Sequence, residues 1–344
     1  MPQKNRNLDI DMMTVISCIA VITLHHNSLV HSYVDSLGWR QSLVVECVFY
    51  FAVPVFFMIS GINLMTYRSR YSTWVFLKKR AVRTVLPWIF WSIVLFFVYS
   101  QHGVISVEPY TIKQAIYMIL NNKVDTVYWF FSSLFACYLS VPVFSLLKER
   151  RSILWYVVLL NFVFLSCLPV INKWISFSWS LDIPVVSSTS NLIFFLLGYL
   201  LYTKPPTDKQ RRFLYVLGIL GLFFRFFYTL HFSVLNHVTD TTIKGYHVFH
   251  SVFYSVAVFL FLYHIEWEHV VPARMQNLIH ELAANSFGVY LVHHAVMYVE
   301  KAITGLTNND LAWRIPCIAV TYCISVSIVF IIRKIPVLKY TVGG

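Results

Sequence analysis

"IDMMTVISCIAVITLHHN", residues 10–27, is a helix-length apolar run that ends in two adjacent histidines. Whether it lies in water or in lipid decides the fold, because an imidazole pair is ordinary in the first and costly in the second. A hydrocarbon core of ~30 Å is spanned by about 20 apolar residues in a helix, and this run is close to that length. Composition favours lipid. Of the 344 residues, 58% are hydrophobic, 17% are aromatic and only 12% are charged. Soluble domains carry roughly a quarter charged residues, and the mean hydropathy of +0.65 points the same way. The chain reads as an all-α integral membrane protein.

Ten runs qualify as spans, or nearly so: 10–30, 43–66, 83–101, 127–147, 153–171, 190–203, 212–231, 247–264, 284–303 and 312–333. The sixth is short unless it begins before Ser190. This map predicts about ten transmembrane helices, and the basic residues orient it. Of the 27 Lys and Arg, nineteen fall on one side, mostly in clusters at 68–83, 148–151, 204–212 and 333–339. Seven fall on the other side, and Arg225 lies within the seventh run. That positive-inside bias predicts both termini in the cytoplasm. The same clusters account for the net charge of +12. Short basic clusters between apolar runs face anionic lipid, so no nucleic-acid partner is expected.

The six cysteines fall mostly inside apolar runs, without CxxC or metal-ligand spacing, so no metal is expected. The first run follows Lys4 and Arg6 but is closed by no small-x-small cleavage site. An uncleaved first span is expected rather than a signal peptide. Without a repeat, low-complexity stretch or long linker, the chain reads as one membrane domain over 1–344 with no soluble domain appended.

Ionisable groups inside spans are costly and face a cavity or a partner. The candidates are His25 and His26 in the first span, Glu46 in the second, Arg225 in the seventh, His247 and His250 in the eighth, and His293 and His294 in the ninth. Any one of them can be an ordinary hydrogen-bonded interior side chain. Histidines gathered in three separate spans ask for more. A hairpin turning near residues 36–37 sets Glu46 close to the level of His25. A carboxylate beside an imidazole fixes its tautomer and raises its basicity, which suits a general base. The alternative is that Glu46 sits at the outer headgroup layer. In "FLKKRAVRTVLPW" (76–88), Arg80 and Arg83 are three apart and should share a helix face. Positive-inside topology accounts for Lys78 and Lys79. The two arginines could also hold a phosphorylated ligand, because guanidinium binds phosphate bidentately.

Six patches, in order, resemble the membrane acyltransferase type 3 family, particularly its stand-alone members that O-acylate surface polysaccharides. "IDMMTVISCIAVITLHH" is similar to an opening span that reads I-D-x-x-R, ten further residues, then H. "VPVFFMISGINLM" (53–65), which contains Ser60, resembles V-P-x-F-F-x-x-S-G. "KKRAVRTVLPW" is similar to the basic start of the third span, and "YWFFSSLFACYLSVPVF" (128–144) to a W-F-x-x-x-L-x-x-Y-x-x-x-P run. "IFFLLGYLL" (193–201) resembles F-x-x-G-Y, and "NSFGVYLVHHAVM" (285–297) resembles S-x-G-x-Y-L-x-H. Each patch is loose alone; their order over nearly the full chain carries the assignment.

The resemblance implies that His25 is the essential first-span histidine; Glu46 is its candidate orienting carboxylate by depth alone. It implies that Arg80 and Arg83 engage the acyl donor, and that His293 is the ninth-span histidine. His294 stands where proline is common, and His26 and Ser60 become candidate substrate or supporting residues. Thr14 stands where the family has arginine, so a neighbouring arginine (Arg6, Arg80 or Arg83) substitutes or the activity is altered. The implied function is O-acyl transfer, most simply of acetyl, from cytoplasmic acyl-CoA to a hydroxyl of a cell-surface or lipid-linked glycan. Acetyl-CoA would be the co-substrate, and the protein would span the bacterial inner membrane many times. The rival expectation is a multi-span exporter or flippase of a polysaccharide intermediate, which ten spans and buried histidines would also suit. A purely structural scaffold explains neither the histidines nor the arginine pair.

Overall fold

The computed structural model describes residues 7–101, 105, 111–176, 189 and 191–343. Lys4, Arg6 and the start of the sixth run at Ser190 lie outside the described residues. No strand occurs among the described residues. In chain order the helices are α1 (Leu8–His26), α2 (Leu37–Phe49), α3 (Ala52–Leu64), α4 (Thr73–Arg80), α5 (Leu86–Gln101), α6 (Ile112–Leu120), α7 (Trp129–Phe144) and α8 (Arg151–Asn161). They continue as α9 (Leu168–Trp174), α10 (Leu192–Thr203), α11 (Asp208–Asn236), α12 (Phe249–Tyr263), α13 (Trp267–Val270), α14 (Ala273–Thr304), α15 (Leu311–Arg314) and α16 (Pro316–Lys334).

The structure resolves the ten-run map unevenly. Seven helical stretches are long and apolar enough to cross a membrane: Leu8–His26, Leu37–Ser69, Thr73–Gln101, Thr126–Leu147, Arg151–Trp174, Asp208–Asn236 and Pro316–Lys334. The apolar helices α10 and α12 are shorter, at 12 and 15 residues. α14 has 32 residues, but Asn285, Ser286, His293, His294 and Glu300 dilute its apolar surface. Two of the long stretches switch to a π turn, over Ala81–Val85 and Phe162–Cys167. Each lies just ahead of a proline, Pro87 or Pro169, which has no N–H to continue the α pattern.

The first helix is locally well specified. Asn7 caps it by accepting from the Asp9 N–H at 2.9 Å, and Asp9 and Asp11 complement the positive end of the helix dipole. His25 and His26 close its last turn. α1 runs through the middle of the bundle and packs on α3, α12, α14 and α16. The tightest crossing is between α3 and α10, where Gly61 faces the Phe195 carbonyl and Gly198 faces the Met58 carbonyl. Small residues let two backbones touch where helices associate in lipid. Those helices share the larger apolar core with α1, α7, α8 and α12, while α5, α7, α14 and α16 build a second core on the other flank of α1.

Candidate active site

α1 and α14 lie side by side from Asp11 and His280 to the C-terminal end of α1, where His25 stands against His293. His293 is fully buried and donates Nδ1–H to the Tyr290 carbonyl at 2.8 Å, one turn back on its own helix. A carbonyl can only accept, so His293 Nε2 is left as a lone pair. His25 Nδ1 lies 2.7 Å from that nitrogen and must therefore donate to it. The two ring planes are 11° apart with centroids 4.9 Å apart, an edge-to-edge arrangement. The chain of assignments leaves His25 Nε2 without a proton. That is the atom a general base needs.

His25 lines a cavity of about 350 Å³ together with Tyr99, Lys123, Asp125, His294, Tyr298 and Lys301. His294 follows His293 in α14 and is turned into this cavity, with its ring centroid 6.1 Å from that of His25. His294 Nδ1–H donates to Asp125 Oδ2 at 2.8 Å. The Asp125 side chain is wholly buried and also accepts from the Tyr99 hydroxyl at 3.3 Å and the Val127 N–H at 3.2 Å. Sequence reading missed Asp125 because it lies between two runs and 169 residues from its histidine.

A second cavity, of about 180 Å³, continues along the same two helices toward their other ends. It is mostly apolar and is lined by Thr14 and Val21 of α1, Ser60 of α3, Tyr138 of α7, and Ser286 and Tyr290 of α14. Val21 and Tyr290 each lie about one turn from the histidine of their own helix, so this cavity approaches the His25–His293 pair from the side opposite the first, with no lining residue in common. Between them the Tyr290 hydroxyl donates to the Val127 carbonyl. Thr14 opens onto the lower cavity, and its hydroxyl donates to the Ile10 carbonyl of its own helix at 2.7 Å.

The two arginines expected to share a face are separated. Arg80 is half-buried, with its guanidinium carbon 5.7 Å from the ring centre of Tyr138, a wall of the lower cavity, and 6.0 Å from that of Phe76. Its Nε is buried without a hydrogen-bond partner. Arg83 lies in the π turn and is exposed. The i→i+5 winding rotates it off the face that an α-helix would share at a spacing of three.

Glu46 also departs from expectation. Its carboxylate is 3.4 Å from Arg225 Nη2, with both side chains buried, and Arg225 lies 3.3 Å from the ring centre of Tyr50. This ion pair ties α2 to α11 and stands apart from the hydrogen-bonded histidine pair. His26 faces the opposite way from His25. Its Nδ1–H donates to the Trp313 carbonyl at 2.9 Å, and Nε2 is 2.8 Å from the Thr321 hydroxyl, which also contacts the Glu300 carboxyl. With both nitrogens engaged, His26 ties α1 to α16. His250 is similarly engaged, with Nε2–H on the Ile243 carbonyl at 3.1 Å. Among the described residues no group of three His, Cys, Asp or Glu is arranged to hold a metal ion.

A helical bundle with several membrane-long apolar helices, and a histidine pair at the edge of a polar cavity, has the architecture of a multi-pass membrane protein. Residues 7–331 match the family described as an acyltransferase domain, and the chain belongs to that family, the membrane acyltransferases of type 3. No curated protein and no solved structure matches the chain.

Proposed function

We propose that this membrane acyltransferase moves an acyl group, most simply acetyl, from cytoplasmic acyl-CoA to a hydroxyl of a cell-surface or lipid-linked glycan at the bacterial inner membrane. The observation that carries the reading is the 2.7 Å contact of His25 Nδ1 with His293 Nε2, which turns the other His25 nitrogen to the cavity. The carbonyl-anchored His293 leaves its Nε2 unprotonated at the edge of the polar cavity. There it takes the proton of the acceptor hydroxyl as the oxygen attacks the thioester carbonyl. General-base help of this kind is worth roughly 10²- to 10⁴-fold in rate.

The apolar lower cavity suits the thioester arm, and the scarcity of polar groups along it keeps water from competing as acceptor. Arg80 supports donor binding, because its buried, unpartnered Nε stands against a wall of that cavity. Arg83, exposed beside it, suits the outlying CoA phosphates. Thr14 supplies no cation, so charge on the donor falls to these two arginines. Glu46 is given no part in the transfer, and its ion pair with Arg225 supports a structural role.

The test is purified protein with acetyl-CoA, following release of the CoA thiol, together with mass spectrometry of surface glycans with and without the gene. Thiol release and gene-dependent ester groups are expected. His25→Ala should lower turnover by roughly 10²- to 10⁴-fold. A His25→Ala protein that acylates at the wild-type rate overturns the mechanism. Unacylated glycan retained inside cells that lack the gene overturns the transferase reading in favour of export.

A further inference from the structure

The polar cavity contains a second imidazole that the transfer described above does not use. We infer that His294, held by Asp125, is a second catalytic residue, one that donates a hydrogen bond to the thioester oxygen as it gains negative charge. This inference rests on the acyl-transfer reading of the same site.

Four observations carry it. His294 and His25 line one cavity with ring centroids 6.1 Å apart and planes at 59°, so a small group between them is within reach of both. His294 Nδ1 is committed to Asp125 at 2.8 Å, so Nε2 is the nitrogen left for a substrate. No hydrogen-bond partner for that Nε2 is found among the described residues. Finally, the neighbours of the two imidazoles differ in charge. His25 is backed by neutral His293, whereas His294 is backed by a carboxylate that is wholly buried and has two further donors on it. A buried charge is tolerated when it is paired and hydrogen-bonded. Of the two, His294 is therefore the one with an acidic partner on one nitrogen and its Nε2 turned to the cavity.

The division of labour balances. The acceptor oxygen forms a bond to the thioester carbon while its proton passes to His25 Nε2. The carbonyl oxygen becomes an oxyanion that accepts from His294 Nε2–H. Collapse restores the carbonyl and breaks the carbon–sulfur bond, and the CoA thiolate takes the proton from His25. His294 keeps its own proton throughout. Aimed donors of this kind act where charge develops in the transition state. Asp125 is a positioning residue: it holds the ring and its charge and does not meet the substrate.

The experiment uses the full chain in lipid nanodiscs with acetyl-CoA, comparing wild type, His294→Ala, Asp125→Asn and the double variant. The expected result is a fall in kcat of about 10²- to 10³-fold for His294→Ala, with KM for acetyl-CoA unchanged. Added imidazole should restore part of the rate to His294→Ala, and the double variant should be no slower than His294→Ala alone, because the two residues act as a unit. A helix tie without catalytic work would instead lower the thermal midpoint and leave kcat of the folded fraction intact, and that result overturns the inference. Unchanged kcat in His294→Ala, or a change in KM alone, does the same. Should His294→Ala fail to fold, His294→Gln, with an amide of similar reach, takes its place under the same criteria. Wild-type protein that releases no thiol and alters no glycan defeats the acyl-transfer reading itself, which separates the two failures.

Discussion

At the scale of single residues, the neighbours of each buried polar group separate chemistry from construction. His25 has one nitrogen anchored and one presented to a cavity, whereas His26, next to it in sequence, has both engaged by other helices. Glu46 belongs with His26. Its partner Arg225 is as deeply buried as Glu46 itself, and removing one member of such a pair leaves an uncompensated charge that costs about 3–5 kcal/mol. Glu46→Ala is therefore expected to lower the thermal unfolding midpoint of the purified protein by several degrees while the kcat of the folded fraction stays at the wild-type value. A variant of wild-type stability that has lost turnover would return Glu46 to the reaction. The sequence placed Glu46 near the level of His25 because counting along a hairpin gives depth. It gives no azimuth, and Glu46 faces α11. His25 and His293 were legible from their spans and from the family pattern. Asp125 was not, since it sits outside every apolar run and only the folded bundle brings it to His294.

At the scale of elements, hydropathy marked where helices run and where they end far better than how they are wound. The opening span fits its sequence closely, with a cap at Asn7 and acidic residues in its first turn. The π turns ahead of Pro87 and Pro169 carry no hydropathy signal, and the first of them sends Arg80 and Arg83 in different directions. Short spans such as α10 fall below a strict length rule, which made the sixth run the marginal one, although every residue from Leu192 to Leu201 is buried. What holds α10 in place is contact of backbone with backbone. A Cβ built on Gly198 would stand 2.2 Å from the Met58 carbonyl oxygen, and one on Gly61 would stand 1.8 Å from that of Phe195. Neither oxygen can swing aside as a side chain would. Gly198→Ala is expected to cost more than the 1–3 kcal/mol usual for overpacking, measured as a loss of folded protein on extraction or a lowered unfolding midpoint. Gly305 stands in open space, so a side chain there meets no steric clash, although its φ of +67° strains any replacement.

At the scale of the whole molecule, the asymmetry of basic residues predicts how the bundle is oriented. The mostly apolar cavity with Thr14 and the wall beside Arg80 lies toward the N-terminal end of α1, and the polar cavity lies toward its C-terminal end. Cytoplasmic termini would turn the first toward acyl-CoA and the second toward the acceptor. Protease-cleavable tags at the N- and C-terminus should then resist digestion in intact spheroplasts and be cut once the membrane is opened. Digestion of either tag from outside would invert the assignment of donor and acceptor cavities. The histidine chain has one more consequence, an electrical one. It runs from His25 through His293 and stops at the Tyr290 carbonyl, which cannot take up a proton and hand it on. Along that chain a proton gained by His25 goes no further than His293, and in the proposed transfer it leaves on the sulfur of CoA. An acyl group then travels outward as a hydrogen nucleus travels inward, like charge exchanged for like charge. Such a turnover would be blind to membrane voltage, and it would let a cell decorate its surface without drawing down the potential that its pumps maintain.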